Sequence, residues 1–263
     1  MGKHICWNIT TRCNATCKFC DRVDNREEIS CQSNLSVLDM LIHTNLVNKI
    51  TWTGGEALLY DGLPKLLERA YSHGISNNLI TNGNILTQEV FSQIGKFLDF
   101  LTLSLDAIDG DVNAELGRSC EQFEQVTSIL NMVSNSPWDI KVKINTVATK
   151  VNLNEIIRVA DFINSADIYR WKVFKFLPLR NAANTRNLFD ISDEEFDKLK
   201  SAIDLKIKSG TRVFFLNQTH LEEDYLLILA NGDFVVTRDL EDIVLFNPLT
   251  QSVSQNDFIS SLL

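Results

Sequence analysis

The chain has 263 residues, of which 44% are hydrophobic, enough to bury the core of one barrel-sized domain. No run of about 18 or more apolar residues occurs, and MGKHICWNIT passes directly into strand-like alternation, so neither a spanning helix nor a secretory leader is expected. A formal net charge of −9 argues against nucleic acid or an anionic membrane as partners, so any anion must be held locally, where nearby groups outweigh screened distant ones.

Short β-branched segments alternate with helix-like ones from the N-terminus onward. Strands are expected at His4–Thr10, Lys49–Thr53, Asn78–Thr81, Phe100–Ser104, Ile140–Ala148 and Tyr169–Leu177. Helices with apolar residues at spacings of three and four are expected near 35–46, 62–73, 86–97, 119–134 and 153–164. Repeated right-handed βα units give a parallel sheet with its site at the C-terminal ends of the strands. Six units predict an α/β fold, a partial (βα)6 barrel of TIM-like type, occupying residues 1–180. After Leu177 the texture turns polar in LRNAANTRN, and Ser192–Lys208 reads as a helix opened by Ser192 with Glu195 three residues on. Strand-like Thr211–Phe215, Tyr225–Ala230 and Phe234–Thr237 follow, the last two separated by the hairpin signal Asn231-Gly232. Residues 181–263 are therefore expected to form a small extension over the barrel opening, within one structural domain.

Six cysteines, at 6, 13, 17, 20, 31 and 120, are too few and too clustered for a secreted disulfide scaffold and suit a reducing cytoplasm. Three of them lie in CNATCKFC, directly after the first strand. A thiolate-held iron–sulfur cluster normally takes four protein cysteines, so a loop offering Cys13, Cys17 and Cys20 leaves one iron open to another ligand. A structural zinc site would need a fourth Cys or His, and His4, His43, His73 and His220 are scattered. Phe19 before the last cysteine, with this spacing, resembles the signature of the radical S-adenosylmethionine superfamily. That resemblance implies a 4Fe-4S cluster on the three cysteines and S-adenosyl-L-methionine on the open iron. Thr53-Gly54-Gly55-Glu56 ends the second strand, where two glycines allow close backbone approach and Glu56 supplies an acceptor. The superfamily pairs such a motif with the cofactor's methionyl ammonium. Asn82 after the third strand, and Ser104 and Asp106 after the fourth, fall where it contacts carboxylate and ribose.

Longer strings, KITWTGGE, SLDAIDGDVNAELGR, KVKINTVATKVNLNE, RWKVFKFL, ISDEEFDKL and NQTHLEEDYLLIL, resemble the viperin family from about residue 7 to 235. They place Lys49, Lys143, Arg170 and Lys172 on barrel strands, where a buried cation is costly unless paired. Point-charge lysines and a forked arginine suit a triphosphate. The resemblance assigns these four to the phosphates of a nucleoside triphosphate, with Arg118 joining them. It assigns Asn145 to cofactor or sugar, sets Thr51 and Thr53 with the substrate residues, and makes Tyr225 the catalytic tyrosine. It further implies a lyase that dehydrates the ribose through a 5'-deoxyadenosyl radical to a 3'-deoxy-3',4'-didehydro nucleotide, in antiviral or antiphage defence. An electron donor such as flavodoxin or ferredoxin would serve it. The sequence lacks the amphipathic N-terminal helix of animal members, so a soluble prokaryotic-type member is expected, and TRDLEDI stands where they are basic, a departure that bears on the base side of the pocket. A radical enzyme of this fold acting on a peptide or another small molecule is the alternative, since fold does not fix substrate. A metal-bound regulatory protein without turnover is a further one.

Overall fold

The computed structural model describes residues 2–21, 27–208, 210, 212–217, 226–238 and 241–251. Seven strands, β1 (Lys3–Asn8), β2 (Val47–Thr53), β3 (Ser76–Thr81), β4 (Phe100–Ser104), β5 (Lys141–Ala148), β6 (Arg170–Lys175) and β7 (Arg212–Leu216), pair in parallel in chain order. On the other side of β1, β8 (Leu226–Ile228) pairs in parallel, followed by antiparallel β9 (Phe234–Arg238) and β10 (Glu241–Phe246). The sheet thus has ten strands in the order β10-β9-β8-β1-β2-β3-β4-β5-β6-β7, and its two edge strands do not pair with each other. It is an open, partial barrel.

Helices connect the parallel strands: α1 (Cys31–Thr44), α2 (Leu63–Ser72), α3 (Gln88–Ile94), α4 (Gly110–Leu116), α5 (Gln122–Ser134), α6 (Leu153–Ser165), α7 (Arg186–Phe189) and α8 (Asp193–Lys206). Two of them depart from the sequence pattern for reasons of capping. α1 begins before residue 35 because the Ser30 side chain accepts the Ser33 N–H, and it stops at Asn45 in the left-handed region. α4 was not expected, yet Asp109 caps it on Asp111 N and Val112 N and Gly117, at φ 82°, ends it. The helix expected from 119 starts only at Gln122.

The region after residue 180 is a larger correction. Thr211–Phe215 was placed in an extension, but α8 supplies the crossover that a parallel neighbour needs, and β7 joins β6 with Lys172 opposite Phe214. The Asn231-Gly232 turn does join two strands, with Gly232 at φ 87°. That hairpin lengthens the sheet past β1, and Leu227, Leu229, Ala230 and Thr237 in this region line the cavity. Both edges of the sheet are therefore built after residue 180.

Strand alternation divides the molecule into two chemistries. Ile5 and Trp7 of β1, Ile50 and Trp52 of β2, Leu101 and Leu103 of β4 and Trp171 of β6 are wholly buried against helix residues such as Leu38, Leu41, Leu67 and Ile156. Trp7 and Trp52 stack at 5.3 Å. Each such side chain stabilises the fold by roughly 1.5–3 kcal/mol through burial. The intervening residues, His4, Cys6 and Asn8 on β1, Lys49, Thr51 and Thr53 on β2, Asn78 on β3 and Thr102 on β4, point to the inner face and line a cavity of about 350 Å³. That volume suits one small molecule.

Candidate active site

The site has a rim at the C-terminal ends of the strands and a closed end near their N-termini. At the rim, the cysteine loop and the Gly54-Gly55-Glu56 turn are bound through backbone. Gly55 N donates to Thr10 O at 2.8 Å and Glu56 N to Arg12 O at 2.7 Å. A Cβ at Gly54, whose φ is 145°, would lie 2.4 Å from Thr10 O, and one at Gly55 2.2 Å from Arg12 O, so only glycine permits this approach. Glu56 is buried, and its carboxylate accepts from Thr81 Oγ1 at 2.7 Å, Asn82 N at 2.8 Å and Leu58 N at 3.2 Å. It ties the second strand's turn to the third's, and it is Gly54 and Gly55 that line the cavity.

Asn82 carries the tie onward. Its Nδ2 donates to Asn14 Oδ1 at 2.8 Å and lies 3.9 Å from Cys13 Sγ. Gln122 at the start of α5 donates to Asn82 O at 2.7 Å and to Ser104 O at 3.0 Å, joining two expected cofactor positions from behind. Asp106 accepts from Val147 N at 2.7 Å and forms a buried ion pair with Arg118 at 2.7 Å. Arg118 also lies over the Phe19 ring at 5.4 Å; burial opposes its charge, but Asp106 above all, with Cys17 and Cys20, holds its guanidinium above the usual range. Burial pushes the Cys17 thiol up and the Arg118 charge opposes that shift. Arg118 therefore belongs with the cysteine loop, not with the cations assigned to phosphates. Its pairing with Asp106 is the physical reason.

The closed end is built differently. Lys49, Arg170 and Lys172 line the cavity, as do Thr51, Thr53 and Asn145. All four cations sit in the N-terminal half of their strands, Lys49 and Lys143 third in β2 and β5 and Arg170 first in β6. They thus face the end of the barrel opposite the cysteines. Lys143 is only 2% exposed and lies behind the lining, donating to Asn78 Oδ1 at 3.2 Å over the Phe100 ring at 3.4 Å. The one carboxylate among the described lining residues is Asp21, at the rim, paired with Arg180. Burial and mutual repulsion push Lys143 down to about 6 and Lys172 to about 8. Burial and the same four cations push His4 to about 4.

Three participants were missed. His4, Asn78 and Thr102 form a chain with Thr51: His4 Nε2 lies 2.8 Å from Thr51 Oγ1, Asn78 Nδ2 donates to Thr51 Oγ1 at 3.1 Å, and Thr102 Oγ1 donates to Asn78 Oδ1 at 2.9 Å. Polar residues alternating with core residues in strands were the available signal. Arg180 was missed as well; from the left-handed region it pairs with Asp21 beside Cys20 and with Asp242 of β10, across the rim. Tyr225 lies outside the described residues.

Residues 7–163 match the description of the Radical SAM superfamily. An S-adenosylmethionine-dependent nucleotide dehydratase of Flammeovirga pacifica is 32% identical over 84% of this chain and 78% of its own length. The chain belongs to the radical SAM superfamily and, within it, to the S-adenosylmethionine-dependent nucleotide dehydratases. A dehydratase of the same description from Oncorhynchus mykiss is 26% identical over 72% of this chain and 58% of its own. Among solved structures, Streptococcus suis SuiB bound to S-adenosylmethionine aligns with a TM-score of 0.71 at 17% identity, over 89% of this chain and 59% of that longer one, which establishes the fold.

The cofactors of this radical SAM enzyme are a 4Fe-4S cluster and S-adenosyl-L-methionine, and the residues present fit them. Three thiols spread along one loop suit a cluster whose ligands bind different irons. The buried Arg118 charge beside Cys17 and Cys20 offsets an anionic cluster, and the glycine turn leaves backbone, not side chain, facing the cofactor space. No helix of the described residues is long and apolar enough to cross a membrane.

Proposed function

We propose that this enzyme removes water from the ribose of a nucleoside triphosphate, giving a 3'-deoxy-3',4'-didehydro nucleotide. One observation carries this reading: three cations line the closed end of the cavity with a fourth behind them, and the one described lining carboxylate is at the other end. Clustered cations of this kind attract a polyanion. A triphosphate matches it in charge and acceptor number, with Arg170 forked against two oxygens and Lys49 and Lys172 as point charges. A chain of phosphates anchored there directs the sugar back toward the rim. A peptide substrate, the alternative within this fold, brings no comparable charge.

When bound, the cluster and adenosylmethionine would supply a 5'-deoxyadenosyl radical able to take hydrogen from C4' of the ribose. The chain's own residues do the rest. Gly54 and Gly55 admit the cofactor to backbone contact, and Asn145, level with Lys172 on neighbouring strands, stands between cofactor and phosphates. The apolar wall of Phe174, Leu179, Leu216 and Leu227 excludes water from a reactive intermediate. Tyr225 would supply a hydrogen atom, its own radical then being quenched by the reductant, or a proton accompanied by one electron from the reductant, as the 3'-hydroxyl leaves as water. The product lacks the hydroxyl that polymerases extend, which suits antiviral or antiphage defence in the cytoplasm. A flavodoxin or ferredoxin is the reductant, and neither membrane nor nucleic acid is a partner.

The test is anaerobic reconstitution with dithionite and adenosylmethionine, followed by mass spectrometry for 5'-deoxyadenosine with CTP, UTP, GTP or ATP present. Stimulation by one triphosphate, and a nucleotide lighter by one water, is the expected result. Cofactor cleavage indifferent to all four would overturn the substrate assignment. Tyr225→Phe is expected to lose product while retaining nucleotide binding.

A further inference from the structure

Two cations of the closed end converge on one aromatic ring, and one of them is buried. Lys49 Nζ lies 4.6 Å and Lys143 Nζ 3.4 Å from the centroid of the Phe100 ring, and Lys143 stands opposite Arg170 on the neighbouring strand. Two ammonium groups drawn to one ring repel each other, and taking one of them out of water adds to the cost of keeping both charged. Lys143 is the one to give up its proton. It is buried, and its hydrogen bond, at 3.2 Å, is to a neutral amide oxygen, Asn78 Oδ1.

Among the described residues that act on Lys143, none brings a counter-charge. His4 faces it from β1, Lys49 from β2, the neutral Asn78 and Thr102 from β3 and β4, and Arg170 and Lys172 from β6, while Cys6 of β1 acts on Lys49 and Lys172. His4 is itself held neutral by burial and these cations, and a neutral imidazole can accept from Thr51 while Thr51 accepts from Asn78. Every donor from Lys143 to His4 then points the same way. Asp99 acts on Lys49, favouring Lys49 as the charged member of the pair.

Resting on the triphosphate reading, we propose that Lys143 is an uncharged amine in the nucleotide-free enzyme and takes up a proton when a triphosphate enters. The proton comes from solvent, converting the amine to an ammonium, and no bond of the nucleotide changes. Lys143 is a positioning residue in this scheme: lying behind the lining, it acts through Lys49 and through the field at the phosphates. The closed end thereby avoids a fourth charge while empty and gains it when the anion arrives.

Titration calorimetry of the cluster-loaded enzyme without reductant, at neutral pH in buffers of different ionisation enthalpy, counts the protons taken up. The probes are inorganic tripolyphosphate and CTP, UTP, GTP and ATP. Wild type is expected to gain about one proton more per bound anion than Lys143→Arg, whose guanidinium is charged in both states. Lys143→Met, which cannot titrate, serves the same comparison should arginine not fit. His4→Gln is expected to keep the uptake, locating the proton away from the imidazole. Equal uptake by wild type and the Lys143 variants, with binding intact, overturns the inference alone. Failure of all the probes to bind overturns the triphosphate reading and this inference with it.

Discussion

The two ends of the barrel interior hold similar numbers of polar and charged groups but treat them in opposite ways. At the rim the groups that tie the turns together are met by other parts of the chain: Glu56 by three donors, Asp106 by Arg118 and Val147, Asn82 by Asn14. At the closed end burial, with repulsion from neighbouring cations that include Arg170, lowers the affinity of Lys49, Lys143 and Lys172 for protons. Completed networks stiffen a structure, whereas a cluster of like charges attracts an ion of the opposite sign. On the proposed reading the rim would hold the cofactor in fixed geometry and the closed end would receive a ligand that comes and goes.

Breaking the rim should be the more damaging. Cys17→Ala removes a cluster ligand and is expected to abolish both the visible iron–sulfur absorbance and 5'-deoxyadenosine formation; retained turnover would remove the loop from the chemistry. Asp106→Asn leaves the Arg118 charge buried without its partner, and removing one member of a buried pair costs about 3–5 kcal/mol. Urea unfolding should show a loss of that size, before any effect on nucleotide affinity is considered. Gly55→Ala drives a methyl group toward Arg12 O, and overpacking of this kind costs about 1–3 kcal/mol. Here the loss of stability should be accompanied by poor iron incorporation, because the displaced backbone precedes Cys13.

How much of this contrast was visible in the sequence follows from the range of the forces involved. The six central strands, the cysteine loop and the glycine turn are set by local pattern, strand period and backbone freedom, and these read directly from neighbouring residues. β7 was misplaced because the irregular segment 180–185 hides a crossover that only the completed sheet reveals. Arg118 was grouped with the phosphate cations because charge type is visible in a sequence while its partner, twelve residues back at Asp106, is chosen by tertiary packing. The same holds for Lys143: its residue type suggests a ligand, and only the fold shows it lying behind Asn78. His4 and Asn78 carried a legible signal, polar residues in phase with Lys49 and Thr51 on the inner face, but their hydrogen bonds join strands remote in sequence.

At the closed end the signs should reverse. Lys172→Met removes a repelling cation, so the nucleotide-free protein is expected to melt at a higher temperature than wild type. The same change removes a charge-assisted hydrogen bond worth about 1.5–3 kcal/mol, weakening nucleotide binding by on the order of 10- to 100-fold. A variant destabilised in both respects would mean that Lys172 is held by the fold as the rim residues are.

The smallest expected effect is a slope in stability against pH. Lys143 falls from its ordinary 10.5 to about 6 on folding and Lys172 to about 8, so between those values and 10.5 the unfolded chain binds more protons than the folded one. Stability of the nucleotide-free protein should therefore rise with pH from about 6 to about 9, the penalty being fully present below 6. Above that range Cys6, raised from 9.0 to about 11 by burial, works the other way, since its neutral thiol stabilises the fold only until it ionises. Melting curves of wild type and Lys143→Met across this window isolate the lysine's share: the variant should show the shallower slope. Saturating triphosphate should flatten the wild-type curve as well, because the anion restores to Lys143 in the folded state the proton it keeps when unfolded.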